Sequence, residues 1–167
     1  MYSSFSNTSI MKRIFQILLL STATFFMAGC SSTKNATGLK ATTGNLAGRW
    51  TVSDITIDVP SNFNVTDVFD QAPYEDFKGS SWELIRNGKG SFTLTNGARE
   101  DIYWSIYGKG ADAQFQFKKL NGSKARNVED GYRLQLQNIS DNSFMAKSLV
   151  DAGNNNTGYI TYTFTKQ

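Results

Sequence analysis

The side chains able to do chemistry are few, and their types restrict what this protein can catalyse. There is no histidine among its 167 residues and a single cysteine, Cys30. A Ser-His-Asp triad, a His-bearing zinc site and a zincin motif are therefore all excluded. What remains is carboxylate chemistry. Asp67, Asp70, Glu75 and Asp76 fall close together, and paired carboxylates can act as general acid and general base. No nucleophile–base arrangement accompanies them, however, and carboxylates along one polar loop are ordinarily solvated. The expectation is a protein that is not an enzyme and holds no metal or other cofactor.

The lone thiol is informative through its position. Lys12 and Arg13 form a positive pair, Ile14 to Leu20 is apolar, and small and apolar residues lead through Met27 to Ala28 and Gly29. Positive, apolar, then small is the order of a secretory signal. The run is too short and too rich in Ser and Thr for a bilayer-spanning helix, which needs about 20 apolar residues. Met11 directly precedes the Lys-Arg pair and is the expected true start, with residues 1–29 as the signal peptide. Met27-Ala28-Gly29-Cys30 resembles the lipobox of bacterial lipoproteins. That resemblance implies a diacylglycerol on the Cys30 thiol, removal of the peptide before it, and acylation (a palmitate-type chain) of the new amine. Several chains anchor durably where one holds only marginally.

Removal of residues 1–29 takes two of the 17 basic residues and none of the 14 acidic ones, leaving 15 against 14 and a net charge of +1. No clustered basic face remains to meet nucleic acid. With its only cysteine lipidated, the chain has no disulfide, although an exported compartment would permit one. A packed core alone must stabilise it.

Residues 30–45 continue from Cys30 as SSTKNATGLKATTGN, small and polar, and read as a flexible tether. From Leu46 to Gln167 the dominant signal is two-residue alternation punctuated by Gly and Asn turns, the pattern of a sandwich or barrel. The first strand runs from Gly48 to Val59, changes apolar phase near Ser53 and Asp54 as a bulge would make it do, and ends at Pro60. A long loop follows, in which Asn64 or Thr66 is positioned to cap a short helix from Val65 to Gln71, stopped by Pro73. Seven more strands come regularly: Ser81–Arg86, Ser91–Thr95, Glu100–Tyr107, Ala113–Lys119, Tyr132–Leu136, Phe144–Val150 and Tyr159–Thr165. Asn87-Gly88 and Asn96-Gly97 are strong hairpin turns. Eight strands on short connections favour an all-β, antiparallel, up-and-down meander closed into a barrel.

Leu46-Ala47-Gly48-Arg49-Trp50-Thr51-Val52 resembles the Gly-x-Trp opening of lipocalins, and the aromatic strands resemble the lipocalin-like lipoproteins of Bacteroidetes-type bacteria. The resemblance covers about 120 residues, Leu46 to Gln167. It implies an eight-stranded lipocalin/calycin-like barrel with Gly48 and Trp50 in structural roles. Trp50 would pack across the closed end beneath a basic side chain, for which Lys166 is the nearest candidate. It also implies a cup able to hold a small hydrophobic molecule. Ser31-Ser32-Thr33-Lys34 lacks the acidic run that surface lipoproteins of such bacteria tend to carry, so the expected location is the outer membrane, facing the periplasm.

Three readings of function follow. In the first, a monomeric barrel binds a small hydrophobic ligand through inward residues, with Trp82, Leu84, Phe92, Trp104, Phe115, Phe117, Tyr132 and Tyr162 as candidates; Leu94, Leu134 and Phe164 share that face. Against it stands the filled barrel, since eight strands leave little interior and large aromatics occupy it. In the second, an envelope interaction protein uses the loop Asn62–Lys78, with Phe63, Phe69, Tyr74 and Phe77, to meet a protein partner. The same aromatics could instead be buried as a lid. The third, catalysis by the loop carboxylates, lacks a supporting constellation.

Overall fold

A computed structural model describes residues 38–125, 131–151, 153 and 156–167. The expected signal segment, Cys30 and the expected tether as far as residue 37 lie outside the described residues. One compact unit spans residues 36–167, and the apolar core of its described residues lies between Leu46 and Phe164.

The eight long strands are β1 (Gly48–Asp58), β4 (Ser81–Leu84), β5 (Lys89–Thr93), β6 (Arg99–Tyr107), β7 (Gln114–Lys119), β8 (Tyr132–Gln137), β9 (Ser143–Asp151) and β10 (Thr157–Lys166). They close into a barrel in the order β1-β10-β9-β8-β7-β6-β5-β4, every pair antiparallel. The all-β, up-and-down barrel read from the alternation is thus the fold. Closure leaves no full-length edge strand to template aggregation. The predicted bulge is present too: the β1–β10 register shifts between Val52 and Asp54, and the Ser53 hydroxyl donates to the Thr163 carbonyl at 3.2 Å.

The loop after β1 departs from expectation. No helix spans Val65 to Gln71. Instead β2 (Asp67–Val68) and β3 (Ala72–Pro73) form a minimal hairpin, and a single helical turn, Tyr74–Phe77, follows Pro73. A seven-residue helix is marginal without tertiary support, and Val65 and Val68 are β-branched. Proline suits the entry to a helix better than its end, because the missing N–H would be unpaired there anyway.

One end of the barrel is sealed by Trp50. It is fully buried, meets Phe144 edge-on at 4.8 Å, and its indole N–H donates to the Leu46 carbonyl at 2.8 Å. Lys166 Nζ lies 5.6 Å from the ring centroid and donates to the Asp141 carbonyl at 3.2 Å. The closed-end pairing expected of Trp50 and Lys166 is therefore present. Gly48 is needed for its backbone, whose φ of 153° L side chains rarely adopt. Order also begins before Leu46. Thr43–Leu46 is a helical turn whose N-cap, Thr42, accepts from Asn45 N–H, and Leu39 N–H donates to the Ile139 carbonyl at 2.6 Å. The second half of the expected tether is thus docked on the closed end.

Trp50→Ala is expected to cost roughly 3–5 kcal/mol, as emptying a tryptophan site in a close-packed core does. Lys166→Ala should cost only about 0.5–1 kcal/mol, the value of an exposed cation–π contact. Urea unfolding of residues 36–167 measures both, and similar losses for the two would contradict this account of the seal.

Candidate functional site

The predicted inward residues do point inward, and they pack against one another. Trp82 stacks on Phe92 at 4.6 Å and meets Phe117 and Phe164 edge-on at 5.4 and 5.6 Å. Phe164 stacks on Phe144 at 4.4 Å, and Phe115 lies 6.0 Å from Trp104 and 5.6 Å from Phe117. Each indole N–H is satisfied internally. Trp82 donates to Ser80 Oγ at 3.0 Å, whose hydroxyl donates to the Phe77 carbonyl at 2.6 Å. Trp104 lies 3.0 Å from the carbonyls of both Ile85 and Lys89. Close approach there requires Gly90, where a Cβ would sit 2.6 Å from the Glu83 carbonyl. Trp82, Leu84, Phe92, Trp104, Phe115 and Phe117 are each no more than 2% exposed. They fill the barrel axis.

The remaining two candidates, Tyr132 and Tyr162, stand at the opposite end, the mouth. A cleft of about 330 Å³ opens there between residues 63–69 of the loop and the ends of β8, β9 and β10, with both tyrosines in its lining. Its wall also includes Val65, Leu149, Val150 and Ile160. That volume is at the small end of ligand sites.

The deepest part of the mouth is occupied by Phe69, a residue absent from the inward candidates. Its ring lies 5.4 Å from Phe77, 5.1 Å from Phe117, 5.1 Å from Tyr132 and 5.2 Å from Tyr162. Phe69 and Asp70 have φ of 55° and 45°, and Gln71 N–H donates to the Val68 carbonyl at 3.1 Å. Two positive φ values in sequence are the signature of a type I′ turn, which glycine and asparagine normally supply; a bulky residue there is a backbone outlier. Partners from distant strands hold it. Lys119 Nζ donates to the carbonyls of Phe69 and Asp70, both at 2.9 Å, and to Gln71 Oε1 at 3.2 Å. The Tyr132 hydroxyl donates to the Phe69 carbonyl at 2.7 Å and lies 3.0 Å from Asp70 Oδ2.

The rest of the loop is tied unevenly. Its second half is pinned to the β5–β6 turn, where the Asp76 carbonyl accepts from Thr95 and Asp76 Oδ2 accepts from Asn96, and to β1 by the Lys78–Asp54 ion pair at 2.7 Å. That lysine holds the Asp54 carboxyl below its usual range. From Pro60 to Thr66 the bonding among the described residues is internal, Phe63 N–H donating to the Pro60 carbonyl at 2.9 Å. Phe69 and Phe77 are buried, while Phe63 and Tyr74 are half-buried, so the loop lies down as a lid. The four loop carboxylates are not gathered into one site: Asp70 faces Tyr132, Asp76 faces Asn96, Glu75 faces Tyr74, and Asp67 lines the cleft. Among the described residues no group of acidic side chains is arranged to hold a metal ion.

One polar atom in the mouth is unsatisfied. The Tyr162 hydroxyl is buried and has no hydrogen-bond partner among the described residues. Burial alone raises its pKa well above the ordinary value of 10.0. An unpaired buried hydroxyl costs about 1–3 kcal/mol, and left-handed non-glycine residues cost of order 1–2 kcal/mol each. Burying the Phe69 ring returns roughly 1.5–3 kcal/mol, and hydrogen bonds from a charged donor return about 1.5–3 kcal/mol. Opposing contributions at this spot are of the same size.

The sequence matches no protein-family model, and a search of curated proteins likewise returned no match.

Tyr162→Phe is expected to stabilise the protein by about 1 kcal/mol, because it removes an unsatisfied group and leaves the packing. The alkaline limb should change as well. A tyrosine whose folded pKa is raised contributes stability fully present below its unfolded value of about 10, and that stability is lost as pH rises above it. Thermal unfolding at pH 7 and at pH 11 reads both effects; a variant less stable than wild type at pH 7 would show that the hydroxyl is paired.

Proposed function

We propose that this chain is a lipid-tethered binding protein of the bacterial envelope, with a solid aromatic barrel and a site for a small hydrophobic molecule at its mouth. The observation that carries this reading is the mouth cleft of about 330 Å³, lined in part by Tyr162, whose buried hydroxyl has no partner among the described residues. An apolar recess with a few polar groups is what small-molecule sites use. The tethering half rests on the lipobox-like Met27-Ala28-Gly29-Cys30 and the apolar run before it. The path of the chain agrees with it, since Leu39 joins the barrel at the Ile139 turn, the end opposite the cleft. A tether leaving there keeps the mouth accessible. Ser31-Ser32-Thr33-Lys34, without an acidic run after Cys30, favours an anchor on the periplasmic face of the outer membrane.

A second reading is favoured by a different observation. Six of the eight candidate ligand contacts are consumed by packing against one another, so the barrel has the build of a ligand-free scaffold. In that case the lid, residues 62–78, meets a protein of the envelope.

Native mass spectrometry of residues 36–167 purified from a bacterial host separates the two. The first reading expects a discrete small molecule that organic solvent releases, and a bare protein that also fails to take up hydrophobic probes supports the second. For the tether, Cys30→Ser in the full chain is expected to abolish incorporation of labelled palmitate and move the protein out of the membrane fraction. Retention of both would exclude Cys30 as the anchor.

A further inference from the structure

Phe69 is the plug of the barrel mouth, and three independent features mark its position as one that can be vacated. Its backbone and that of Asp70 are left-handed, a conformation that persists in non-glycine residues only when the surroundings impose it, and which concentrates at clamps and switches. What imposes it is a latch of side-chain donors on its own carbonyl, Lys119 Nζ at 2.9 Å and the Tyr132 hydroxyl at 2.7 Å. Against the ring packs Tyr162, whose buried hydroxyl has no hydrogen-bond partner among the described residues. The closed state therefore leaves one hydrogen bond unmade, while the neighbouring Phe69 ring, its centroid 5.2 Å from that of Tyr162, cannot accept one well.

The cleft leads to this ring. Phe69, Tyr132 and Tyr162 all belong to its lining, and the lid segment above it, from Pro60 to Thr66, is bonded within itself among the described residues. A molecule in the cleft is thus separated from the ring site by Phe69 itself. Lifting the hairpin tip would vacate a space walled by Phe77, Phe117, Tyr132 and Tyr162, the four rings that now surround Phe69.

We infer that the Phe69 ring occupies, in this closed state, the binding site of a small planar apolar molecule that carries one uncharged hydrogen-bond acceptor, displaces Phe69 from the cleft side and accepts from the Tyr162 hydroxyl. The inference rests on the binding reading above and names the chemistry of the ligand. Planarity follows from the ring-walled space. The acceptor follows from the orphan donor. That it is uncharged follows from the surroundings of Tyr162, which is 2% exposed among aromatic rings; a carboxylate placed there would lose its hydration, and the ammonium of Lys119 is engaged by the carbonyls of Phe69 and Asp70. A ligand that binds only the open state shows its intrinsic affinity multiplied by the open fraction, so weakening the latch must tighten binding.

Acetophenone, a ring bearing one carbonyl, and isopropylbenzene, of the same shape without it, serve as probes for residues 36–167. Affinities are read by calorimetry or by NMR shift titration. Lys119→Met, which removes the ammonium donor from the Phe69 and Asp70 carbonyls, is expected to bind acetophenone at least fivefold more tightly than wild type. Tyr162→Phe should bind it at least fivefold more weakly and no better than isopropylbenzene. Unchanged or weaker binding in folded Lys119→Met, an unaffected Tyr162→Phe, or no binding by any of the three overturns the inference. Should Lys119→Met fail to fold, Tyr132→Phe removes one donor from the same carbonyl and must tighten acetophenone binding about twofold; a folded variant that does not is equally decisive against the latch. A co-purifying molecule in the mass-spectrometric experiment together with latch variants that leave acetophenone affinity unchanged would sink the plug and spare the binding function. The reverse pattern would establish the site and sink its envelope role.

Discussion

Strand β1 is shared. Over Gly48–Thr51 it bonds β4 on one side, while β10 follows it on the other from Trp50 to Asp58. Closure of the barrel depends on that short overlap, and the architecture of both ends follows from it. The double pairing fixes Trp50 at the sealed end, where Lys166 and Leu46 can reach it. Beyond Thr51 the two sides part. Gly79 N–H still donates to the Val52 carbonyl at 2.7 Å, but after the bulge at Ser53 the chain continues with β10 alone. To return from Asp58 to β4 it must cross the mouth, and the crossing segment becomes the lid.

The second constraint is volume. An eight-stranded barrel has an interior just wide enough for side chains, and this sequence fills it with large rings. Trp82, Phe92, Phe115, Phe117, Phe144 and Phe164 are in mutual contact along the axis. Binding capacity, where this fold has any, is displaced to the mouth, because only there do the walls belong to a loop rather than to the closed sheet. Loops are the part of a structure that can be repositioned without breaking a ladder. The aromatic barrel is in that sense the rigid support on which the Phe69 hairpin is mounted.

The mouth itself is a balance of nearly equal opposing effects. Left-handed backbone at Phe69 and Asp70 and the unpaired Tyr162 hydroxyl oppose closure. Burial of the Phe69 ring and the donors from Lys119 and Tyr132 favour it. Buried polar side chains elsewhere, Ser80 and the three indoles, have partners, and the other left-handed non-glycine residues among those described, Asn121 and Asn138, are asparagines, which tolerate that conformation. A left-handed bulky residue and an unpaired buried hydroxyl together, beside a cleft, distinguish the mouth from the described core around it.

Much of this was legible in the sequence, since it depends on local periodicity. Alternation along Glu100–Tyr107 assigns Ile102 and Trp104 to the interior and Tyr103 and Tyr107 to solvent, as observed. Asn-Gly pairs place the turns, and the change of phase at Ser53 announces the bulge. The reading of Cys30 and the segment before it rests on residue order and the lipobox resemblance and lies outside the described residues. The lid was not legible. Asn64, Thr66 and Pro73 signal a helix over Val65–Gln71, yet Phe69 adopts a turn conformation that its own side chain disfavours. Its stabilising donors stand 50 and 63 residues away, on β7 and β8. Nor could alternation decide between an open cup and a solid core, because it shows which faces point inward and not how much space they enclose. Only closure of the sheet brings rings from six strands to one axis, and only then is it decided that the barrel is full and the mouth is where something else can fit.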